Sequence, residues 1–138
     1  LTGYKIVNLP HFKSYVDADE NFADYDLYDV APQDFINLIR NAQYVCTDSF
    51  HGTAFSIIFE KQFMCFERHQ TSDKASTNDR IYSVLQLIGE SSRLVRNIED
   101  IKDLAADNID FSDVKRVLNT KRDEANNFLN NAVKGKRA

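Results

Sequence analysis

The amino-acid sequence predicts an α/β domain built on a parallel sheet flanked by helices. Three observations predict it. Apolar runs short enough for strands alternate with stretches of helical period, giving strand, helix, strand, helix, strand between residues 4 and 66. That order at close spacing is the mark of parallel βαβ units. The strand-like runs are continuously apolar rather than alternating, as strands covered on both faces need to be. The chain has 138 residues, 43% hydrophobic and 28% charged, which is ordinary globular usage and enough to bury one core. It reads as one domain over 1–138, with an α/β core to about residue 109, a C-terminal helix over about 110–134 and a tail over 135–138.

The elements follow in order. Tyr4-Lys5-Ile6-Val7-Asn8-Leu9 reads as a strand closed by Pro10. From His11 to Asp29 there is no steady period, so one long loop is predicted, and loops of that length are commonly functional. Pro32 suits the first turn of a helix, and Phe35, Ile36, Leu38 and Ile39 carry that helix to about Asn41. Tyr44 to Thr47 is a buried strand. Gly52 to Glu60 is apolar nearly all round, as a helix covered on both sides is. Phe63 to Phe66 is the next strand, and a polar loop runs from His69 to Thr77. Asn78 can cap a helix whose face is Ile81, Val84, Leu85 and Ile88, and Gly89 ends it. Leu94-Val95 predicts a brief strand. Helices over about Ile98–Ala106 and Ser112–Val133 complete the chain. The last, polar over most of its surface, either closes this domain or crosses onto a neighbouring one. No internal repeat is visible.

Charge and composition exclude several classes. A net charge of -4 argues against general nucleic-acid binding. The acids Asp17, Asp19, Glu20, Asp24, Asp26 and Asp29 and the basic end Lys134, Lys136 and Arg137 read as a solvated loop and a frayed tail. The longest apolar stretch, near Ala54 to Phe59, is far too short to cross a bilayer. No charged-then-apolar leader opens the chain, which sets the expected location as the cytoplasm. Cys46 and Cys65 lie in apolar runs and read as two reduced core residues. No CxxC or paired histidines accompany them, so no metal is expected. Leu1 stands where Met would open a whole protein, and a strand follows almost at once. A segment of a longer protein is the expectation.

The strand-to-helix turn Thr47-Asp48-Ser49-Phe50-His51-Gly52 concentrates the chemistry. In parallel sheets, ligands bind outside the carboxyl ends of the strands. The first turn of the following helix has N–H groups without intrahelical partners, and its dipole adds partial positive charge, so a phosphate or carboxylate is favoured there. Asp48 or Ser49 can instead serve as the helix cap. Gly52 costs about 1 kcal/mol relative to alanine inside a helix, which implies close approach of a ligand or a neighbouring strand. His51 is the candidate catalytic residue. At the positive end of a helix its imidazole is expected neutral until an anion binds.

The run from Asn41 to Phe59, with Thr47-Asp48-Ser49-Phe50-His51-Gly52 at its centre, resembles the C-terminal part of the polysaccharide pyruvyl transferase family. The likeness continues through Phe63 to Arg68 and the helix start Asn78-Asp79-Arg80-Ile81, covering about Asp29 to Arg93. The resemblance implies a Rossmann-like domain, the C-terminal half of a GT-B-like two-domain transferase, with the N-terminal domain lying outside this chain. It implies transfer of pyruvate from phosphoenolpyruvate to two hydroxyls of a sugar as a cyclic ketal, in surface polysaccharide biosynthesis. Such sugars are assembled on the cytosolic side, and a lipid-linked acceptor would hold the enzyme at the membrane periphery. No cofactor or metal is implied; phosphoenolpyruvate is the donor substrate and a saccharide the acceptor.

Many members of that family have an arginine two residues before the histidine, where this chain has Ser49. Arg68, after the next strand, or Arg80, at a helix start, could supply the charge. The substrate-binding candidates are therefore Thr47, Asp48, Ser49, Gly52, Arg68, Asn78 and Arg80, beside His51 as catalyst. The segment alone is expected to be inactive. Two other readings stay open. A nucleotide-sugar glycosyltransferase of the same architecture would set a diphosphate on the same helix start. A non-catalytic, degenerate transferase domain would account for Ser49.

Overall fold

A computed structural model describes residues 3–10, 17, 21–67 and 78–135. The chain resolves into two compact units, Leu1–Leu38 and Ile39–Ala138. In the first, β1 (Val7–Asn8) pairs in parallel with β2 (Tyr25–Asp26), Val7 opposite Tyr25 and Asn8 opposite Asp26. Side chains hold this pair together. The Asp24 carboxylate accepts from the Ile6 N–H and from the Lys5 ammonium, both at 2.8 Å. Asn8 Nδ2 donates to Asp26 Oδ1, also at 2.8 Å. The long loop predicted from His11 to Asp29 therefore contains a strand. It was invisible to periodicity because it is two residues long and is fixed by polar side chains rather than by an apolar face. The strand predicted over Tyr4 to Leu9 shortens to two residues for the same reason. The predicted helix is present as α1 (Pro32–Asn41), with Pro32 at its first position and Asp34 in its first turn.

The second unit carries the core. Strand β3 (Tyr44–Thr47), helix α2 (Phe50–Ile58) and strand β4 (Gln62–Cys65) form a βαβ unit. The strands run parallel in a four-residue register, from Tyr44 opposite Gln62 to Thr47 opposite Cys65. The Phe66 N–H extends the ladder to the Thr47 carbonyl at 2.9 Å. On the other side of β4, the predicted strand at Leu94-Val95 is reduced to one parallel bridge, Cys65 to Leu94, with Val95 N–H on the Cys65 carbonyl at 2.9 Å. Among the described residues the expected single sheet is thus two separate two-stranded sheets. Pairing within each is parallel, as predicted.

Helix α3 (Asn78–Ile88) ends at Gly89, whose φ of +78° is the left-handed turn foreseen for that glycine. Then come α4 (Ile101–Ala106) and α5 (Phe111–Val133). Ile57, Phe63, Cys65, Ile81, Leu85, Ile88, Leu94, Ile109 and Val114 make one buried cluster. Gln62 clips the entry to α5 onto β4, accepting from the Ile109 N–H at 2.8 Å and donating to its carbonyl at 3.3 Å. The first turns of α5 close the core through Val114. From Asn119 onward its described residues are exposed.

Arg93 is buried, 1% exposed. It donates to the carboxylates of Glu90 and Asp107 and to the carbonyls of Leu104 and Asp107, at 2.8 to 3.3 Å. A buried guanidinium needs such saturation to offset its lost hydration. The two cysteines are free. Cys65 is buried, but Cys46 is exposed, so the expectation of two core thiols holds for only one of them. Adjacent register positions put the two side chains on opposite faces of the pair. No described helix is long and apolar enough to cross a membrane.

Candidate functional site

At the end of β3, side chains build the turn into α2. Thr47 Oγ1 accepts the Ser49 N–H at 3.1 Å. Ser49, extended at φ -94° and ψ 131°, is the cap, and its Oγ accepts the Gly52 N–H at 3.4 Å. The Ser49 carbonyl takes both the backbone N–H and the hydroxyl of Thr53, at 2.9 and 3.0 Å. Capping by Ser49 starts the helix at Phe50, two residues before the apolar run predicts. Thr53 and Cys65 meet beneath the turn, with Oγ1 and Sγ 3.1 Å apart. Burial, the largest cause, pushes the Cys65 thiol up to about 11.

Gly52 owes its identity to β3. A Cβ there would overlap Thr47 Oγ1 and stand 3.0 Å from Thr47 Cβ and 3.1 Å from Cγ2. Of the two reasons expected for this glycine, a ligand or a neighbouring strand, the close approach seen is that of the strand. Asp48 is half-buried in the same turn. His51 is exposed in the first turn of α2, set edge-on to Phe50 with centroids 5.8 Å apart.

The candidate Arg80 reaches this turn. Its guanidinium carbon lies 5.2 Å from the centre of the Phe50 ring, within the range of a cation–π contact. Phe50 is thus flanked by a cation and by His51. Arg68 lies outside the described residues. Asn78, the first residue of α3, is buried, 2% exposed.

Sequence reasoning missed a second cluster at the same ends of the strands. The Tyr82 hydroxyl donates to Glu67 Oε1 at 2.7 Å, and Arg96 Nη1 lies 3.5 Å from the same oxygen. Donation to Glu67 is the main cause that raises the Tyr82 pKa, opposed by a hydrogen bond from Asn78 and the charge of Arg96. No local motif marks these residues, because the contacts span 15 and 29 positions. Among the described residues no group of three His, Cys, Asp or Glu is placed to hold a metal.

The arrangement offers positive potential from two sources, the first turn of α2 and Arg80, around an exposed imidazole. Compared with known proteins, the chain matches the family model described as polysaccharide pyruvyl transferase over residues 1–70. The match includes the whole turn and β4, while the resembling helix start at Asn78 lies beyond it. No curated protein and no solved structure matches.

Proposed function

The chain belongs to the polysaccharide pyruvyl transferase family, and from that premise we propose that it serves the transfer of pyruvate from phosphoenolpyruvate to a saccharide as a cyclic ketal. The observation that carries the reading is His51, exposed on the first turn of α2 with Arg80 stacked on the adjoining Phe50. An anionic donor is favoured at this place by the helix dipole and the guanidinium together. Ser49, which stands where many relatives have arginine, is occupied as the cap. Arg80 is therefore assigned the charge that the turn itself lacks, with Arg68 as a second candidate.

The chemistry then balances simply. A proton from His51 goes to the methylene carbon of the donor, making it a methyl group and leaving an oxocarbenium-like centre at the neighbouring carbon. One sugar hydroxyl adds there and gives its proton back to His51. The C–O bond to phosphate then breaks, its electron pair leaving with the phosphate, and a second hydroxyl adds at the same carbon and gives its proton to the departing phosphate, closing the ketal. Positive potential at the helix start stabilises the departing phosphate. Thr47, Asp48 and Gly52 shape the turn around the donor, and Asn78 sits at the start of the helix that carries Arg80. In this proposal the chain is the Rossmann-like, C-terminal half of a GT-B-like enzyme that acts on surface polysaccharide at the cytosolic side.

The test is turnover of the full-length protein. His51→Ala should lower pyruvyl transfer by about 100-fold or more, the usual scale for a general acid, with the fold retained by circular dichroism. Near-normal turnover in that variant would remove His51 from the mechanism.

A further inference from the structure

The geometry points to Glu67 as the acceptor-side ligand of this site: its carboxylate, clamped by Tyr82 and Arg96, accepts a hydrogen bond from a hydroxyl of the saccharide. The inference rests on the pyruvyl-transfer reading and adds where the second substrate is held.

Three chain segments emerge side by side at one edge of the second unit. Phe66 is hydrogen-bonded to Thr47, so Glu67 leaves β4 beside the turn that carries His51. Val95 is hydrogen-bonded to Cys65, so Arg96 leaves the bridging segment next to it. This is the carboxyl edge, where parallel sheets bind ligands.

The state of the carboxylate suits a hydroxyl. Among the described residues both hydrogen bonds fall on Oε1. A carboxylate accepts at about four lone-pair sites over its two oxygens, which leaves Oε2 to accept from elsewhere. The Glu67 side chain is 25% exposed, enough to meet a ligand while its orientation stays fixed. Tyr82 adds to that fixity, since its hydroxyl donates to Glu67 Oε1 at 2.7 Å.

Charge divides the edge into two parts. An anionic donor is drawn to Arg80 and the α2 start, whereas at Glu67 the carboxylate and the Arg96 guanidinium offset each other and offer it no net attraction. A neutral, hydroxyl-bearing saccharide needs no net charge and gains a charge-assisted hydrogen bond from the carboxylate. Donor and acceptor are thereby sorted by charge on neighbouring segments.

The experiment uses the full-length protein, phosphoenolpyruvate, and methyl gluco-, galacto- and mannopyranosides as acceptor probes. Glu67→Gln should raise the acceptor KM about tenfold, the scale of one lost hydrogen bond to a charge, and leave the phosphoenolpyruvate KM within about twofold. Tyr82→Phe, which removes only the clamp's hydroxyl, should move the acceptor KM in the same direction by less. An unchanged acceptor KM in both variants, or both KM values rising together, would overturn the assignment. Saccharide binding followed by ligand-detected NMR on the same probes provides a readout that needs no turnover. If wild-type protein binds a probe but consumes no phosphoenolpyruvate, the pyruvyl-transfer reading fails by itself. Binding lost in Glu67→Gln would still uphold the saccharide ligand, and binding retained would end it.

Discussion

The molecule makes parallel strand pairs in two ways. Strands β3 and β4 share four register positions, and Phe63, Met64 and Cys65 in the second strand are 0 to 2% exposed. Strands β1 and β2 share two, and Val7 and Tyr25 are 45% and 55% exposed. Burial of apolar area stabilises the first pair. The second depends on carboxylates and an amide that tie its backbone at the surface. The same hydrogen-bond pattern therefore rests on an effect of several kcal/mol in one place and on screened surface contacts in the other.

Removing side chains from the two pairs should separate these effects. Phe63→Ala is expected to cost about 3 to 5 kcal/mol, the range for a fully buried phenylalanine. Val7→Ala, at an exposed position, is expected to stay within about 0.5 kcal/mol. Urea unfolding of the two variants makes the comparison. Similar losses in both would mean that β1 is as important to the core as β4.

Raising pH is expected to weaken the buried pair through Cys65. Its thiol is shifted from 9.0 to about 11 in the folded chain. Between those values the unfolded state loses the proton while the native state keeps it. Stability is therefore fully present below pH 9 and falls as pH rises toward 11, by roughly 2 to 3 kcal/mol. In Cys65→Ala that part of the pH dependence should vanish. Parallel stability curves for the two proteins from pH 8 to 11 would contradict the role of burial here.

Lowering pH should act on the exposed pair instead, and more weakly. The Lys5 hydrogen bond, then the Ile6 N–H, hold the Asp24 carboxyl below an unperturbed aspartate's 3.8. A depressed pKa means that the native state binds fewer protons. The tie is present above the unfolded value and is lost as pH falls through the folded one. Asp24→Asn should speed amide exchange at Ile6 with no change in Tm. Unchanged protection of that amide would show that the backbone ladder alone holds β1 to β2.

The site divides along a similar line. Thr47 to Gly52 was legible because its parts are local. A small polar cap, a glycine and an apolar run occur within a dozen residues, and strand-to-helix turns are where ligands collect. Gly52 was legible as unusual, but only Thr47 packed beneath it supplies the reason. Arg80 could be nominated from sequence, yet nothing local told it apart from Arg68. Its position over Phe50, across 30 residues of chain, is visible only in the fold. Glu67, Tyr82 and Arg96 left no trace in the sequence, since each is an ordinary charged or aromatic residue until they meet.

The sequence by itself determined the elements whose period or punctuation is strong: α1 behind Pro32, β3, the turn, and α3 closed by Gly89. Each is specified within one or two helical turns by side chains that bury or cap together. Tertiary structure alone decided that a strand lies at Tyr25–Asp26, that Arg93 is buried among Glu90, Leu104 and Asp107, and that α5 joins the core only through its first turns. The physical reason is range. Propensity and periodicity describe a residue's neighbours in the chain, whereas these outcomes depend on partners from 11 to 18 or more positions away, brought close only by folding.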